Sequence, residues 1–135
     1  MTRRPRVPRP LDRGAVTLSL AILFPVVLLI VMLAVQACLW WYAGQVAHTA
    51  VREGVEAGRV RGATPADGDA RANEVLARFG DLARPVSVSH GGTDADYLRM
   101  TVEVSPQAVL PFFDRMTITR KAAGPRERFV PAGAR

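Results

Sequence analysis

Few side chains in this sequence have the types and spacing that active-site chemistry requires. The two histidines, His48 and His90, lie on different predicted elements, and neither has a cysteine or paired carboxylates at ligand spacing. A metal site needs three or four converging ligands, so we interpret both as polar surface or interface residues. Asp94 and Asp96 could contribute to a calcium site, but they lie in a glycine-rich turn, where aspartate is favoured for local hydrogen bonding.

Sequence motifs for catalysis and cofactor binding are also missing. The sequence has no glycine-rich phosphate loop, no nucleophile elbow and no cysteine–histidine arrangement. Its one cysteine, Cys38, lies in an apolar run, so no intramolecular disulfide can form. The apolar residues that continue after Cys38 exclude a lipoprotein signal. We therefore predict a protein that is not an enzyme and that uses no cofactor or metal.

The distribution of charge points to a membrane. No charged side chain occurs between Arg13 and Arg52. The N-terminal tail supplies most of the net charge of +6, and the rest of the chain is nearly balanced. A basic cluster beside an apolar run is a topology signal, so we expect no nucleic-acid binding. The tail combines one aspartate with five arginines, Arg3, Arg4, Arg6, Arg9 and Arg13.

The uncharged stretch predicts one transmembrane helix over residues 15–43. It exceeds the ~20 residues needed to cross a hydrocarbon core of ~30 Å. Arginines on its N-terminal flank predict a cytoplasmic N-terminus and an extracellular C-terminal domain, with export from about residue 50 onward. A cleaved signal peptide is the alternative, since Val35-Gln36-Ala37 resembles a weak cleavage site, although such apolar regions usually have only ~7–15 residues.

Local features refine this predicted helix. Trp40, Trp41 and Tyr42 form an aromatic belt, because such rings favour the membrane–water interface. Pro25 removes one helical hydrogen bond and predicts a kink. Beyond the span the helix is expected to reach about residue 60, with an apolar stripe formed by Val46, Ala47, Ala50, Val51 and Val55.

A second pattern in this extension consists of glycines at every fourth position, Gly54, Gly58 and Gly62. Small residues at this spacing can let another helix approach closely. Outside the bilayer, fraying of the helix toward a loop is an equally good interpretation. The sequence leaves both open.

The remaining residues, 64–123, predict a small exported α+β domain in which one helix packs on a three-stranded, mainly antiparallel sheet. Thr64-Pro65-Ala66-Asp67 begins the helix, and Gly80 ends it after Phe79. Its sheet-facing side is predicted to contain Ala70, Val75, Leu76 and Phe79. The predicted strands are Val86–Ser89, Leu98–Val104 and Met116–Arg120, and residues 124–135 are expected to form a loosely ordered tail.

Several short motifs, in this order, resemble the TadE-like family of pilus assembly proteins, minor pseudopilins of the tight-adherence (Flp) pilus system. They are Arg13-Gly14-Ala15-Val16-Thr17, the apolar run with Pro25, and Ala50-Val51-Arg52-Glu53-Gly54. The ending Gly124-Pro125-Arg126-Glu127-Arg128-Phe129 is similar to that of actinobacterial members. Each motif is short, and the resemblance lies in their order and spacing.

The resemblance implies a mechanism. A prepilin peptidase would cut between Gly14 and Ala15, which makes residues 1–14 a leader. The family often carries a glutamate five residues into the mature chain, where it neutralises a neighbour's amino terminus. This sequence has Ser19 there, and a serine cannot form that ion pair.

We therefore predict a single-pass membrane protein that acts as a minor pseudopilin in pilus assembly. Its expected partners are the lipid bilayer, other pseudopilin subunits, the secretion platform and a prepilin peptidase. The main alternative is a permanently anchored extracellular binding or envelope protein unconnected with pili. A secreted hydrolase is a weaker alternative, because the sequence lacks a catalytic constellation.

Overall fold

The computed structural model of the chain describes residues 11–127, with side chains from residue 17 onward. Its elements are α1 (Leu11–Arg59), α2 (Pro65–Phe79), β1 (Ala83–Ser89), β2 (Tyr97–Pro106) and β3 (Ile118–Pro125). Short 3₁₀ turns occur at Gly80–Leu82 and Pro111–Phe113. The chain divides into two units between Ala34 and Val35. The predicted α+β class, with a long N-terminal helix, is confirmed.

The first unit contains the apolar part of α1. The helix assignment continues through Pro25, and the predicted kink there stays a prediction. Side chains 17–34 are exposed, except for Met32, which is half-buried. Within the described residues, this is the one helix long and apolar enough to cross a membrane. An apolar surface of this extent needs lipid or protein around it.

The second unit is built around the rest of α1, which ends at Arg59. The predicted stripe from Val46 to Val55 is buried, and Ala43 extends it toward the N-terminus. One face of β2 meets this stripe with Leu98, Met100, Val102 and Val104, all buried as the alternation predicts. Burial of a leucine or valine side chain contributes about 1.5–3 kcal/mol, so this face is a main source of stability.

Glycines set the distance between α1 and α2. A Cβ added at Gly54 would lie 2.9 Å from the Gly68 carbonyl oxygen of α2 and 2.8 Å from Met100 Cε. At Gly58 it would lie 2.7 Å from Leu98 Cδ2. The helix that approaches closely is therefore the chain's own α2. Gly62 has a different role, since its φ of +86° lets the chain turn after α1.

Helix α2 has the bounds predicted from its capping signals. The Asp67 carboxylate accepts hydrogen bonds from the Thr64 backbone N–H, at 2.7 Å, and from the Thr64 hydroxyl, at 2.8 Å. These bonds hold the pKa of Asp67 below its usual range. Ala70 was predicted to face the sheet, and this is wrong, because it is exposed. The buried face instead follows helical periodicity through Gly68, Ala72, Val75 and Leu76.

The sheet has the order β1-β2-β3, and both pairings are antiparallel. Strand β1 begins earlier than predicted. A bulge between Pro85 and Ser87 interrupts the pairing of β1 with β2, and Val86 is exposed. The sequence signal placed the strand at Val86–Ser89 because only those residues show β-favouring alternation.

Strand β3 also differs from its prediction of Met116–Arg120. It begins two residues later than predicted, at Ile118. It continues past Arg120 because Ala122 pairs with Met100 and Gly124 with Leu98. A Cβ at Gly124 would lie 2.7 Å from Val55 Cγ1, so this glycine lets the strand lie against α1. Residues 124 and 125, which were expected to begin the loosely ordered tail, thus belong to β3. The tails 1–10 and 128–135, with Arg3, Arg4, Arg6, Arg9 and Arg128-Phe129, lie outside the described residues.

Candidate functional site

The residues considered for chemistry are not brought together. His48 is exposed on α1, whereas His90 Nδ1 lies 2.6 Å from Asp69 Oδ2 of α2. Asp94 accepts hydrogen bonds from the Tyr97 and Asp96 backbone N–H groups, which lower its pKa. Residues 11–127 contain no group of three or more candidate metal ligands. The apolar segment, the predicted processing position and the Arg52-Glu53-Gly54 motif all lie along α1.

The predicted processing position lies at the start of α1. Gly14 and Ala15 are within its first two turns, and Ser19 is exposed one turn further on. Helical geometry places Ser19 among apolar side chains that are also exposed, such as Leu18 and Ile22. The surface that a neighbouring helix would meet here is uncharged.

The aromatic belt lies at the start of the folded unit. Trp41 is 70% exposed, whereas Trp40 and Tyr42 are 39% and 37% exposed. The Tyr42 ring contacts Phe79 edge-on, with 6.2 Å between ring centroids and 74° between ring planes. Tyr42 thus packs against the end of α2, and Trp41 is the ring most available to an interface.

Gln36 forms a site that was not recognised from the sequence. Its side chain is only 3% exposed. The Oε1 atom accepts hydrogen bonds from the backbone N–H groups of Val109, at 2.8 Å, and Leu110, at 3.4 Å. Its Nε2 donates to the Gln107 carbonyl at 3.3 Å. The amide therefore ties the loop between β2 and β3 to α1. The sequence feature that could have indicated this role is a single glutamine in an apolar run, because a polar side chain in such a run needs a hydrogen-bond partner.

The Arg52-Glu53-Gly54 motif connects α1 with α2. The Glu53 carboxylate accepts a hydrogen bond from Arg71 Nη2 at 2.6 Å, beside the close contact of Gly54 with Gly68. Bonds to Glu74 and Glu53 raise the pKa of Arg71, so it stays charged. Arg52 is exposed and lines an open hollow of about 390 Å³ between α1 and β3. Two of the three residues therefore shape the fold.

Together these features define a class of protein, a small α+β domain built directly on a helix that could anchor it in a membrane. The model of the family described as TadE-like protein matches residues 14–56. The resemblance inferred from the sequence is therefore confirmed over this segment, and it relates the chain to pilus assembly. The match begins at the predicted processing glycine and ends after the Arg52-Glu53-Gly54 motif. No curated protein and no solved structure matches the chain.

Proposed function

We propose that the chain is a minor pseudopilin that contributes to assembly of a tight-adherence (Flp-type) surface pilus or a related secretion apparatus. The observation that carries this proposal is the continuous helix Leu11–Arg59. Its first half exposes apolar side chains, its second half is built into a folded domain, and the TadE-like match covers most of it. Such a helix can join neighbouring subunits within a membrane while the domain meets partners outside.

Processing would occur between Gly14 and Ala15, as the resemblance implies. The cut removes the basic tail and leaves an apolar amino-terminal helix that neighbouring helices can surround. A peptidase at the cytoplasmic membrane face would reach this bond, because the arginines hold that end of the span in the cytoplasm. The exposed side chains after Thr17 offer the packing surface.

The function would be structural and not catalytic. The apolar half of α1 would bind lipid and the helices of other pseudopilin subunits or the secretion platform. The exported domain would provide a contact surface on the outer side of the membrane. The aromatic belt with Trp41 would mark where the helix leaves the bilayer.

Ser19 favours a second candidate function, a permanently anchored extracellular binding or envelope protein. A carboxylate at this position would cost ~2.5–3.5 kcal/mol in a membrane helix, and a pilin uses it to bind a neighbour's amino terminus. A serine avoids that cost and lacks that contact, which suits a plain anchor. We prefer the pseudopilin because the family match begins at Gly14.

Deletion of the gene in the native host tests the proposal. We expect the deletion to abolish or strongly reduce the pilin recovered from the cell surface by shearing, and re-expression of the full chain to restore it. A tag at the C-terminus of the restored protein should be cleaved by protease added to intact cells. Normal pilus yield in the deletion strain would contradict the pilus role, and a protected tag would contradict the orientation.

A further inference from the structure

The loop between β2 and β3 has apolar side chains that are exposed to solvent and do not pack in the core. Its sequence from residue 109 is Val-Leu-Pro-Phe-Phe. Phe112 is 89% exposed, and Val109 and Met116 are less exposed, at 43% and 36%. The exposed charged residues Asp114 and Arg115 separate Phe112 from Met116, so the apolar surface is concentrated at Val109–Phe112. Single exposed apolar residues are common, whereas several in one short segment are typical of a contact with protein or membrane. We therefore expect lipid or another protein to cover this part of the loop.

The position of the loop along α1 indicates that lipid covers it. The three hydrogen bonds of Gln36 hold residues 107–110 against this level of the helix. Gln36 precedes Trp40 by about one turn, which is ~6 Å along the axis toward the apolar segment. If Trp40 and Trp41 mark the membrane–water interface, the loop lies at or below it.

The backbone of the loop is suited to such an environment. Non-helical backbone near lipid requires that its polar groups be satisfied within the protein. Gln36 binds the N–H groups of Val109 and Leu110, and the Phe113 N–H donates to the Leu110 carbonyl at 3.1 Å. Pro111 has no N–H group, and the Met116 N–H donates to the Phe113 carbonyl at 3.2 Å. Four N–H groups of this segment, those of Val109, Leu110, Phe113 and Met116, are therefore paired within the protein.

We propose that this loop is a second membrane contact, in which Phe112 and Val109 insert among the lipids of the leaflet that faces the folded unit. The inference rests only on the membrane-anchoring part of the proposed function and is independent of the pilus. It also gives a reason for the buried amide in an apolar helix, because Gln36 holds the inserting loop in place.

With this contact, the part of α1 that crosses the hydrocarbon core is shorter than the predicted residues 15–43. Residues 17–35 are the part of α1 before the first buried side chain, Gln36. At ~1.5 Å per residue they extend about 28 Å, close to the ~30 Å of a hydrocarbon core. With the boundary at Gln36, the loop tip lies where acyl chains meet headgroups. Aromatic rings are favoured at this depth.

Depth-dependent quenching tests the loop directly. The full chain, with Cys38→Ala and Phe112→Cys, is labelled with an environment-sensitive fluorophore and reconstituted in phosphatidylcholine–phosphatidylglycerol vesicles. We expect blue-shifted emission at position 112. Spin-labelled acyl chains should quench it at least about twofold more than they quench the same probe at position 97, since interfacial segments insert about 5–10 Å deep.

Position 97 is the matched control. Tyr97 is 48% exposed and lies at the other end of β2, where it pairs with Pro125 near the end of α1. Gln36 and Arg59 are separated by about 35 Å of helix. A probe introduced by Leu28→Cys reports on the span itself. Lipid quenching at 28 with water-like emission at 112 would overturn the loop contact alone, whereas water-like emission at 28 would overturn membrane anchoring too.

The protein-to-lipid ratio of the vesicles distinguishes a contact of the loop with lipid from a contact with another copy of the chain. If Phe112 inserts into lipid, quenching at position 112 should be the same when the protein is reconstituted with a large excess of lipid. Blue-shifted emission that disappears on dilution, without quenching by the spin-labelled lipids, would overturn the proposal in favour of a contact between copies of the chain.

Discussion

Replacement of Gly54 with valine is expected to destabilise the folded unit by about 3 kcal/mol, the upper part of the usual range for overpacking. The new Cβ would lie 2.9 Å from the Gly68 carbonyl oxygen, which is backbone and cannot rotate away. It would also meet Met100 at 2.8 Å. Since small domains have about 5–15 kcal/mol of stability, this loss would remove a large share and separate α1 from α2.

A loss of stability in the Gly54→Val variant would identify the close contact with α2 as the cause. Helix propensity alone favours valine over glycine by roughly 0.3 kcal/mol, so an isolated helix would be stabilised. Thermal unfolding of the full chain in detergent micelles, followed by near-ultraviolet circular dichroism, should show a midpoint lower by about 15 °C. Gly91→Val is the matched control, because a Cβ there meets only Ser89 Oγ at 3.5 Å. Equal stability of the two variants would show that the glycine contact does not set the helix distance.

Replacement of Gln36 with leucine is expected to release the loop between β2 and β3. The change leaves the Val109 and Leu110 N–H groups and the Gln107 carbonyl without their partner. An unsatisfied buried group costs about 1–3 kcal/mol, and the loop avoids that cost by moving away. Hydrogen exchange of residues 107–110 in the full chain should therefore accelerate by about 10–100-fold, while exchange in β2 changes much less.

Gln45→Leu provides the control for the Gln36 variant. Gln45 is on the same helix but is exposed, so the same chemical change should leave exchange in the loop unaltered. If Gln36→Leu also leaves it unaltered, the amide does not hold the loop. If it accelerates exchange throughout the folded unit, Gln36 supports the whole fold instead of the loop.

The sequence predicted best those parts of the fold that local chemistry controls. The Thr64 and Asp67 cap begins α2, the alternation from Leu98 to Val104 defines the buried face of β2, and the charge-free run gives α1. Each of these signals acts within a few residues. The α+β class followed from their order.

Tertiary contacts decided the rest. Ala122 and Gly124 have no strong strand preference, yet they belong to β3 because they pair with β2 beneath α1. Gly54 and Gly58 could be interpreted as a packing motif, but their partner was visible only once Gly68 lay opposite them. The partner of Gln36 lies more than seventy residues away, so its role could not be predicted from its neighbours in the sequence.

The central claim, that the chain enters pilus assembly as a processed subunit, is tested most directly by the mass of its amino terminus. The protein is isolated from membranes of the native host and its N-terminal peptide is measured by mass spectrometry. We predict that the mature chain begins at Ala15 and that a Gly14→Leu variant retains the arginine-rich leader. An intact leader on the wild-type protein would contradict the account and favour a permanent anchor.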